Sequence, residues 1–202
     1  MSRLAHHAET LKLERLLDVP PGALDLLADV PADTVRQLRE RATVAFFADD
    51  DVFFKRVVAA SRLLPVPVLA LVAEKALGAL LSARIAGQMD VKRGVGIASR
   101  LDPEFLADVC LHLDPGRTRD LIRAIPVAQI VIVALALAAR DEHVTMGRFV
   151  YIITDAAIDA VVGKLDDAHL LQTAFFAENK LRLEAIVTRL PETRLVSLIR
   201  TA

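Results

Sequence analysis

The chain has 202 residues, 54% of them hydrophobic, and its mean hydropathy of +0.42 indicates a large buried core. Its 25 basic and 26 acidic side chains leave a net charge of −1, which disfavours nucleic acid as a partner because no net positive charge attracts phosphates. A single cysteine excludes an internal disulfide, and the N-terminal residues lack the apolar stretch of a secretory signal, so we expect a cytoplasmic protein.

Apolar residues recur at helical spacing along most of the chain, which predicts an all-α fold. The predicted helices cover residues 3–17, 22–29, 32–48, 52–63, 66–86, 90–99, 103–112, 116–124, 126–140, 145–162, 167–178, 181–189 and 192–200. Residues 149–153 are rich in β-branched and aromatic side chains, but apolar positions continue at helical spacing to Val161 and favour a helix there as well.

The most apolar run of the chain, Val127–Ala139, is broken only by Gln129. As a helix it would reach about 20 Å, which is shorter than the ~30 Å hydrocarbon core of a bilayer. We therefore expect a buried helix here and no membrane insertion.

Proline repeatedly marks the point where one predicted helix ends and the next begins. It lacks a backbone N–H and clashes inside a helix, but it fits the first turn. The prolines that follow this pattern most closely are Pro20, Pro31, Pro103, Pro115 and Pro126. Several predicted helices also start after an aspartate that can cap backbone N–H groups, namely Asp102, Asp114 and Asp166. The chain is thus divided into many short helices.

Three consecutive predicted helices begin at twelve-residue intervals, at Leu101, Leu113 and Ile125. A helix of about ten residues cannot bury its apolar stripe alone, so neighbouring helices must stack. This predicts a right-handed superhelix of short stacked helices, α-solenoid-like or armadillo-like. We expect one helical domain over residues 1–202, with a subdomain boundary near residue 88.

Part of this repeated stretch, residues 99–140, is similar to a known family. Leu101–Val109, which reads LDPEFLADV, and the following Leu113–Pro115 resemble the short-helix repeats in the intracellular N-terminal domain of MgtE-type magnesium transporters. More distantly, they resemble the armadillo-like middle domain of flagellar motor switch proteins. The resemblance implies a helical superhelix. It does not extend to magnesium sensing, because Arg117, Arg119 and Arg123 stand where that surface would carry carboxylates.

No residue pattern predicts a catalytic or metal site. The triplet Asp49–Asp51 lacks the spacing of a calcium loop and fits a helix stop and N-cap better. Cys110 and His112 would point about 200° apart on a helix, so they cannot share an ion locally. Asp141–His143 lies between two predicted helices, where charged residues are ordinary. We expect no metal and no cofactor.

The densest basic region contains Arg117, Arg119 and Arg123. Arg119 and Arg123 share a helix face by their i, i+4 spacing. The planar guanidinium group fits a carboxylate or phosphate of a partner. The alternative is a solvated face whose arginines pair with nearby aspartates such as Asp108 and Asp114.

Six of the eight phenylalanines occur as adjacent pairs. Adjacent residues on a helix point about 100° apart, so each pair needs burial on two sides or one ring that faces a partner or ligand. The pairs are Phe46 and Phe47, Phe53 and Phe54, and Phe175 and Phe176. The first two pairs flank one turn and are the leading candidate site, although core packing explains them as well.

These features favour a non-catalytic protein–protein interaction or regulatory module. Its expected surface combines the corner Phe46–Phe54 with the arginines at 117–123, and its partner would be a second copy of the chain or another protein. The alternative is a carrier or sensor of a small apolar molecule held between helices, in a pocket lined by paired phenylalanines. A third alternative is an enzyme with dispersed catalytic groups. A large dry cavity would favour the carrier, and a flat apolar patch the interaction module.

Overall fold

The computed structural model describes residues 3–48 and 51–201, with side chains at all of these except residues 46–48, 51, 52 and 180. Within these residues the fold is all-helical and contains no β-strand, as the apolar spacing predicts. Residue contacts divide the chain into two units, Met1–Asp51 and Val52–Ala202. The boundary predicted near residue 88 lies inside the second unit.

The first unit is a helical hairpin of α1 (Arg3–Leu17) and α2 (Ala32–Ala48), joined by a loop with a short 3₁₀ helix (Asp25–Leu27). The helix predicted at 22–29 is therefore wrong. Gly22 adopts a φ of +87°, which glycine tolerates best. The Glu14 carboxylate accepts hydrogen bonds from the N–H groups of Gly22 and Leu24, so these groups are satisfied without a helix.

The core of this hairpin contains charged side chains. Glu9, Lys12 and Arg39 are all buried, and the Glu9 carboxylate lies 3.0 Å from the Lys12 ammonium and 3.3 Å from the Arg39 guanidinium. Burial by itself raises the pKa of the Glu9 carboxyl, but Lys12, Arg39 and Arg36 outweigh it and hold the pKa below its usual range. The charged form of Glu9 thus links α1 to α2.

The remaining chain forms twelve short helices within the described residues. Their bounds are α3 Asp51–Ser61, α4 Val66–Val72, α5 Gly78–Ala86, α6 Val91–Ala98, α7 Pro103–His112, α8 Arg119–Ala124, α9 Val127–Ala138, α10 His143–Phe149, α11 Asp155–Val162, α12 Asp167–Phe176, α13 Lys180–Val187 and α14 Glu192–Thr201. A π-helical turn, Ala73–Leu77, joins α4 to α5.

Several helix starts agree with the predicted capping. The Asp102 carboxylate accepts hydrogen bonds from the N–H groups of Glu104 and Phe105, and Pro103 occupies the first helical turn. Asp166 caps α12 in the same way. Asp114 instead closes a turn, so α8 begins only at Arg119 rather than near residue 116.

The helix predicted over 145–162 is wrong, because two helices occupy this stretch. α10 ends at Phe149, and Thr154 caps α11 by accepting a hydrogen bond from the N–H of Ala157. Between them Ile152 is fully buried in a cluster that contains Leu113 and Phe149. Burial of Ile152 in the turn therefore outweighs the local helical spacing.

Helices in the second unit contact the helix two positions further along the chain. The contacts are α4 with α6, α6 with α8, α5 with α7, α7 with α9, α9 with α11, α10 with α12 and α12 with α14. The even-numbered helices begin 24 to 28 residues apart, at Val66, Val91, Arg119, His143, Asp167 and Glu192. The twelve-residue spacing in the sequence is thus about half of a two-helix unit.

A second regularity joins each of several helices to the third helix before it. A side chain donates a hydrogen bond to a backbone carbonyl at or just beyond the C-terminal end of that earlier helix, where carbonyls lack helical partners. The pairs are Arg93 with Ser61, Gln129 with Ala98, Arg148 with Leu113, Arg182 with Ile153, and Arg194 with Leu165. The same contact therefore recurs along the second unit.

Candidate functional site

A partly open cavity of about 600 Å³ lies within the second unit. Every helix from α3 to α14 contributes at least one residue to its wall, from Val57 on α3 to Leu198 on α14. Among the described side chains that line it, none is Asp, Glu, Lys, Arg or His. Its volume lies in the range of small-molecule sites, about 300–1,000 Å³.

The polar side chains of the wall are few, and the hydroxyls of two of them have partners within the protein. The Ser61 hydroxyl donates to the carbonyl of Val58 at 2.7 Å, and the Thr173 hydroxyl lies 3.8 Å from the Met146 sulfur. A buried water needs two to four polar partners. The wall offers too few of these to hold a chain of waters, so its chemistry suits an apolar occupant.

Two buried polar atoms of the wall have no hydrogen-bond partner among the described residues. They are the Ser82 hydroxyl oxygen and the Gln129 side-chain oxygen. An unpaired buried polar atom costs free energy, about 1–3 kcal/mol. Each atom could accept a hydrogen bond from a hydroxyl or amide of a bound molecule, while the rest of that molecule contacts apolar side chains.

The single cysteine lies in the wall of the cavity. Cys110, on α7, is half-buried, and burial raises the pKa of its thiol to about 12. It is therefore a neutral thiol near pH 7 and a weak nucleophile. Its high pKa argues against a catalytic role.

The predicted phenylalanine site is only partly described. The side chains of Phe46 and Phe47 lie outside the described residues. Phe54 is buried on α3, whereas Phe53 is 61% exposed, and their rings meet edge to face with centroids 5.4 Å apart. Among the phenylalanines whose side chains are described, Phe149 lines the cavity, whereas Phe53, Phe54, Phe175 and Phe176 do not.

The predicted basic residues lie at and before the start of α8 in exposed positions. Arg117 precedes the helix, and Arg123 lies in its last turn. The Arg119 guanidinium lies over the Tyr151 ring, 5.6 Å from its centroid, a cation–π arrangement. Asp108, an expected partner of these arginines, instead pairs with Arg140 at 2.6 Å.

A further apolar surface, not indicated by the sequence pattern, lies on α4 and α5. Four side chains of these helices are each at least 41% exposed, namely Val68, Leu71, Leu80 and Leu81. The stretch Val66–Ala86, which comprises α4, the π-helical turn and α5, is long and apolar enough, by length and composition alone, to cross a membrane. A single such helix does not distinguish a membrane span from a helix of a soluble protein.

Comparison with known proteins does not assign the chain to a family. No family model, no curated protein and no solved structure matches it.

Proposed function

We propose that this protein binds an elongated apolar molecule, such as an acyl or isoprenoid chain, between the helices of its second unit. The observation that carries this proposal is the cavity of about 600 Å³, whose wall has no charged group among its described side chains and receives residues from every helix between α3 and α14. In this proposal the protein acts as a carrier or sensor and needs no catalytic group or cofactor.

The proposed scaffold is a right-handed superhelix of two-helix units. Three regular features support it: the contacts between helices two positions apart, the 24 to 28 residues between successive starts, and the side-chain bonds to carbonyls three helices back. The resemblance of residues 99–140 to the MgtE-type repeats agrees with this architecture. In a superhelix a continuous groove follows the stacking direction, which suits a chain-like ligand better than a compact one.

The expected binding free energy comes from apolar burial. Each buried methylene contributes about 0.8 kcal/mol, so a chain that extends past several helices gains affinity with its length. Ser82 or Gln129 could bind a polar end of the molecule, because each has an unpartnered buried atom in the wall. The proposal therefore favours a long apolar chain with one hydroxyl or amide group.

The direct test is a fluorescent 18-carbon polyene alcohol, titrated against the native protein and two tryptophan variants. Ala134→Trp on α9 would fill part of the cavity, and Ala128→Trp lies on the exposed side of the same helix. The native chain has no tryptophan, so each variant also reports its own environment by fluorescence.

We expect saturable binding to the native protein and to Ala128→Trp. Ala134→Trp should bind the probe about tenfold or more weakly, because the indole ring takes the place of several methylene groups of the ligand that would otherwise be buried. The circular dichroism of this variant should stay native. No saturable binding to the native protein, or equal affinity in both variants, would contradict the proposal.

A second candidate function is that of an interaction module that forms a homodimer. The exposed apolar side chains of α4 and α5 favour this function, because exposed apolar patches often mark interfaces. The net charge of −1 is also too small for two copies of the chain to repel each other strongly. Leu71→Glu and Leu80→Glu should then convert a dimer to a monomer in light scattering. Leu181→Glu, at a more exposed position on α13, is the control. An unchanged mass would exclude this face.

The surface predicted from the sequence is tested by the same assay. If the phenylalanine corner or the basic helix forms the interface, Phe53→Asp or the pair Arg119→Glu and Arg123→Glu should lower the oligomeric mass. If neither changes the mass or its salt dependence, these residues form a solvated face.

A further inference from the structure

Two histidines from different helices meet beside the turn between α9 and α10. His143, the first residue of α10, is 4% exposed, and its Nε2 lies 2.8 Å from Nδ1 of His169 on α12. The two rings stack with centroids 5.1 Å apart. The turn residue Asp141 completes a cluster in which one ligand atom from each of the three residues lies within 4.8 Å of the others.

The backbone of Asp141 adopts an unusual conformation at the turn that leads into α10. Its φ is +56°, in the left-handed region where glycine is the common residue. The N–H of Glu142 bonds the carbonyl of Leu137, and the N–H of Asp141 bonds that of Ala138, which together form a Schellman motif. An aspartate where glycine would be less strained adds a carboxylate beside the two imidazoles.

We infer that Asp141, His143 and His169 form a binding site for a divalent transition-metal ion of the Zn²⁺ class. Two imidazole nitrogens and one carboxylate oxygen are ligands that Zn²⁺ prefers, and three protein ligands leave a fourth position for water. Hard ions such as Mg²⁺ and Ca²⁺ are disfavoured, because they select oxygen ligands.

The two imidazole nitrogens lie close to the separation that such an ion needs. At 2.0–2.1 Å from both nitrogens and a tetrahedral angle, the nitrogens would lie about 3.3 Å apart. The 2.8 Å contact must therefore widen by only about 0.5 Å. In the absence of metal, one proton between the two nitrogens takes the place of the ion.

A second layer of contacts supports the two imidazoles. The ring of His143 also hydrogen-bonds the backbone of Asp141, and Nε2 of His169 lies 3.7 Å from a carboxylate oxygen of Asp166. Carboxylate and carbonyl partners of this kind orient metal-binding histidines. When the His169 proton moves from Nδ1 to Nε2, Nδ1 becomes free to bind the ion and Nε2–H faces Asp166.

The test measures binding of Zn²⁺ alone. Equilibrium dialysis with metal analysis gives the stoichiometry, and calorimetry gives the affinity. Asp141→Gly removes one ligand and relieves the positive φ, so the variant should fold. Asp18→Gly is a matched control, because Asp18 has a φ of +55° in the same motif at the end of α1. His169→Gln removes a second ligand, and His7→Gln at an exposed position of α1 is its control.

We expect the native protein, Asp18→Gly and His7→Gln to bind one Zn²⁺ with equal affinity. Asp141→Gly and His169→Gln should bind at least about tenfold more weakly, and Asp166→Asn, which preserves the helix cap, should weaken binding by about 10-fold to 100-fold. Co²⁺ in place of Zn²⁺ should give a four-coordinate visible spectrum that Asp141→Gly lacks. No Zn²⁺ binding by the native protein, or equal binding by all variants, would overturn the inference.

Discussion

The two units of this protein are stabilised in opposite ways. The hairpin of the first unit buries Glu9, Lys12 and Arg39 together, and α1 contacts α2 through these charges. The second unit buries mainly aliphatic side chains and contains a cavity of about 600 Å³. Its helices are linked by repeated packing and by side-chain bonds to carbonyls.

Because of this difference, we expect the two units to respond to different conditions. A buried ion pair depends on the protonation of its carboxylate and on the presence of every partner. An apolar cavity depends on what fills it. We therefore expect the first unit to respond to pH and to charge substitutions, and the second to apolar ligands and to changes of side-chain volume.

The largest expected effect is loss of the buried charge in the first unit. Glu9→Ala removes the buried carboxylate that Lys12 and Arg39 both contact, and removal of one partner of a buried pair costs about 3–5 kcal/mol. Urea denaturation of the native protein and the variant gives this difference in the free energy of unfolding. Glu40→Ala, an exposed glutamate on α2, should change stability by less than about 0.5 kcal/mol. Equal effects of the two variants would mean that Glu9 does not stabilise the hairpin.

The next effect concerns close packing in the second unit. A Cβ atom at Gly147 would lie 2.6 Å from Phe176 Cβ and 2.7 Å from its carbonyl carbon, so Gly147→Ala must separate α10 from α12. We expect Gly147→Ala to lower the free energy of unfolding by about 3 kcal/mol. At Gly96 the nearest atom to a new Cβ is a Val66 methyl at 3.5 Å, so Gly96→Ala should gain up to about 1 kcal/mol of helix propensity. Thermal unfolding of both variants gives the comparison, and two changes of the same sign would contradict it.

A smaller effect distinguishes the units by pH. The pKa of Glu9 is lower in the folded protein than its ordinary value of 4.5. Its contribution to stability is therefore full above that ordinary value, and is lost as the pH falls through the lower folded pKa. Resonances of α1 and α2 should weaken in this acid range in NMR spectra, and Glu9→Gln should flatten the dependence. An identical acid transition in Glu9→Gln would exclude Glu9 as its cause.

The last of these effects leaves stability unchanged and concerns the cysteine. Burial raises the pKa of Cys110 to about 12, against an ordinary 9.0. The thiolate fraction near pH 8 is then roughly a thousandfold below that of a free thiol, so modification by a disulfide reagent should be very slow until urea unfolds the chain. Rapid modification of the native protein would show that the wall of the cavity around α7 is open to water.

Local signals in the sequence account for much of the fold. The apolar spacing predicts the helices, Asp102 with Pro103 predicts the start of α7, and the twelve-residue interval is half of the two-helix unit. Each of these features depends on residues that are close together in the chain, so it can be predicted from a local sequence pattern. The turn at 150–153 could not be predicted in this way, because it depends on burial of Ile152 against Leu113, far away in the chain.

The candidate sites were harder to predict for the same reason. The cavity receives one or a few side chains from each of twelve helices, and none of its residues is unusual by itself. The paired phenylalanines gave a stronger local signal, but Phe54 packs in the core and Phe53 is exposed. His143 and His169 are 26 positions apart, and only the contact of α10 with α12 brings them together.

Native mass spectrometry of the purified protein tests the central claim most directly, because one spectrum reports both the subunit count and any retained molecule. The account predicts extra mass, in the range of a single lipid-like chain, that is present under native conditions and absent after denaturation. It also predicts that Ala134→Trp carries less of this mass than Ala128→Trp. A native protein whose mass equals that of the bare chain, and which takes up no added long-chain alcohol, would contradict the assignment of the cavity as a binding site.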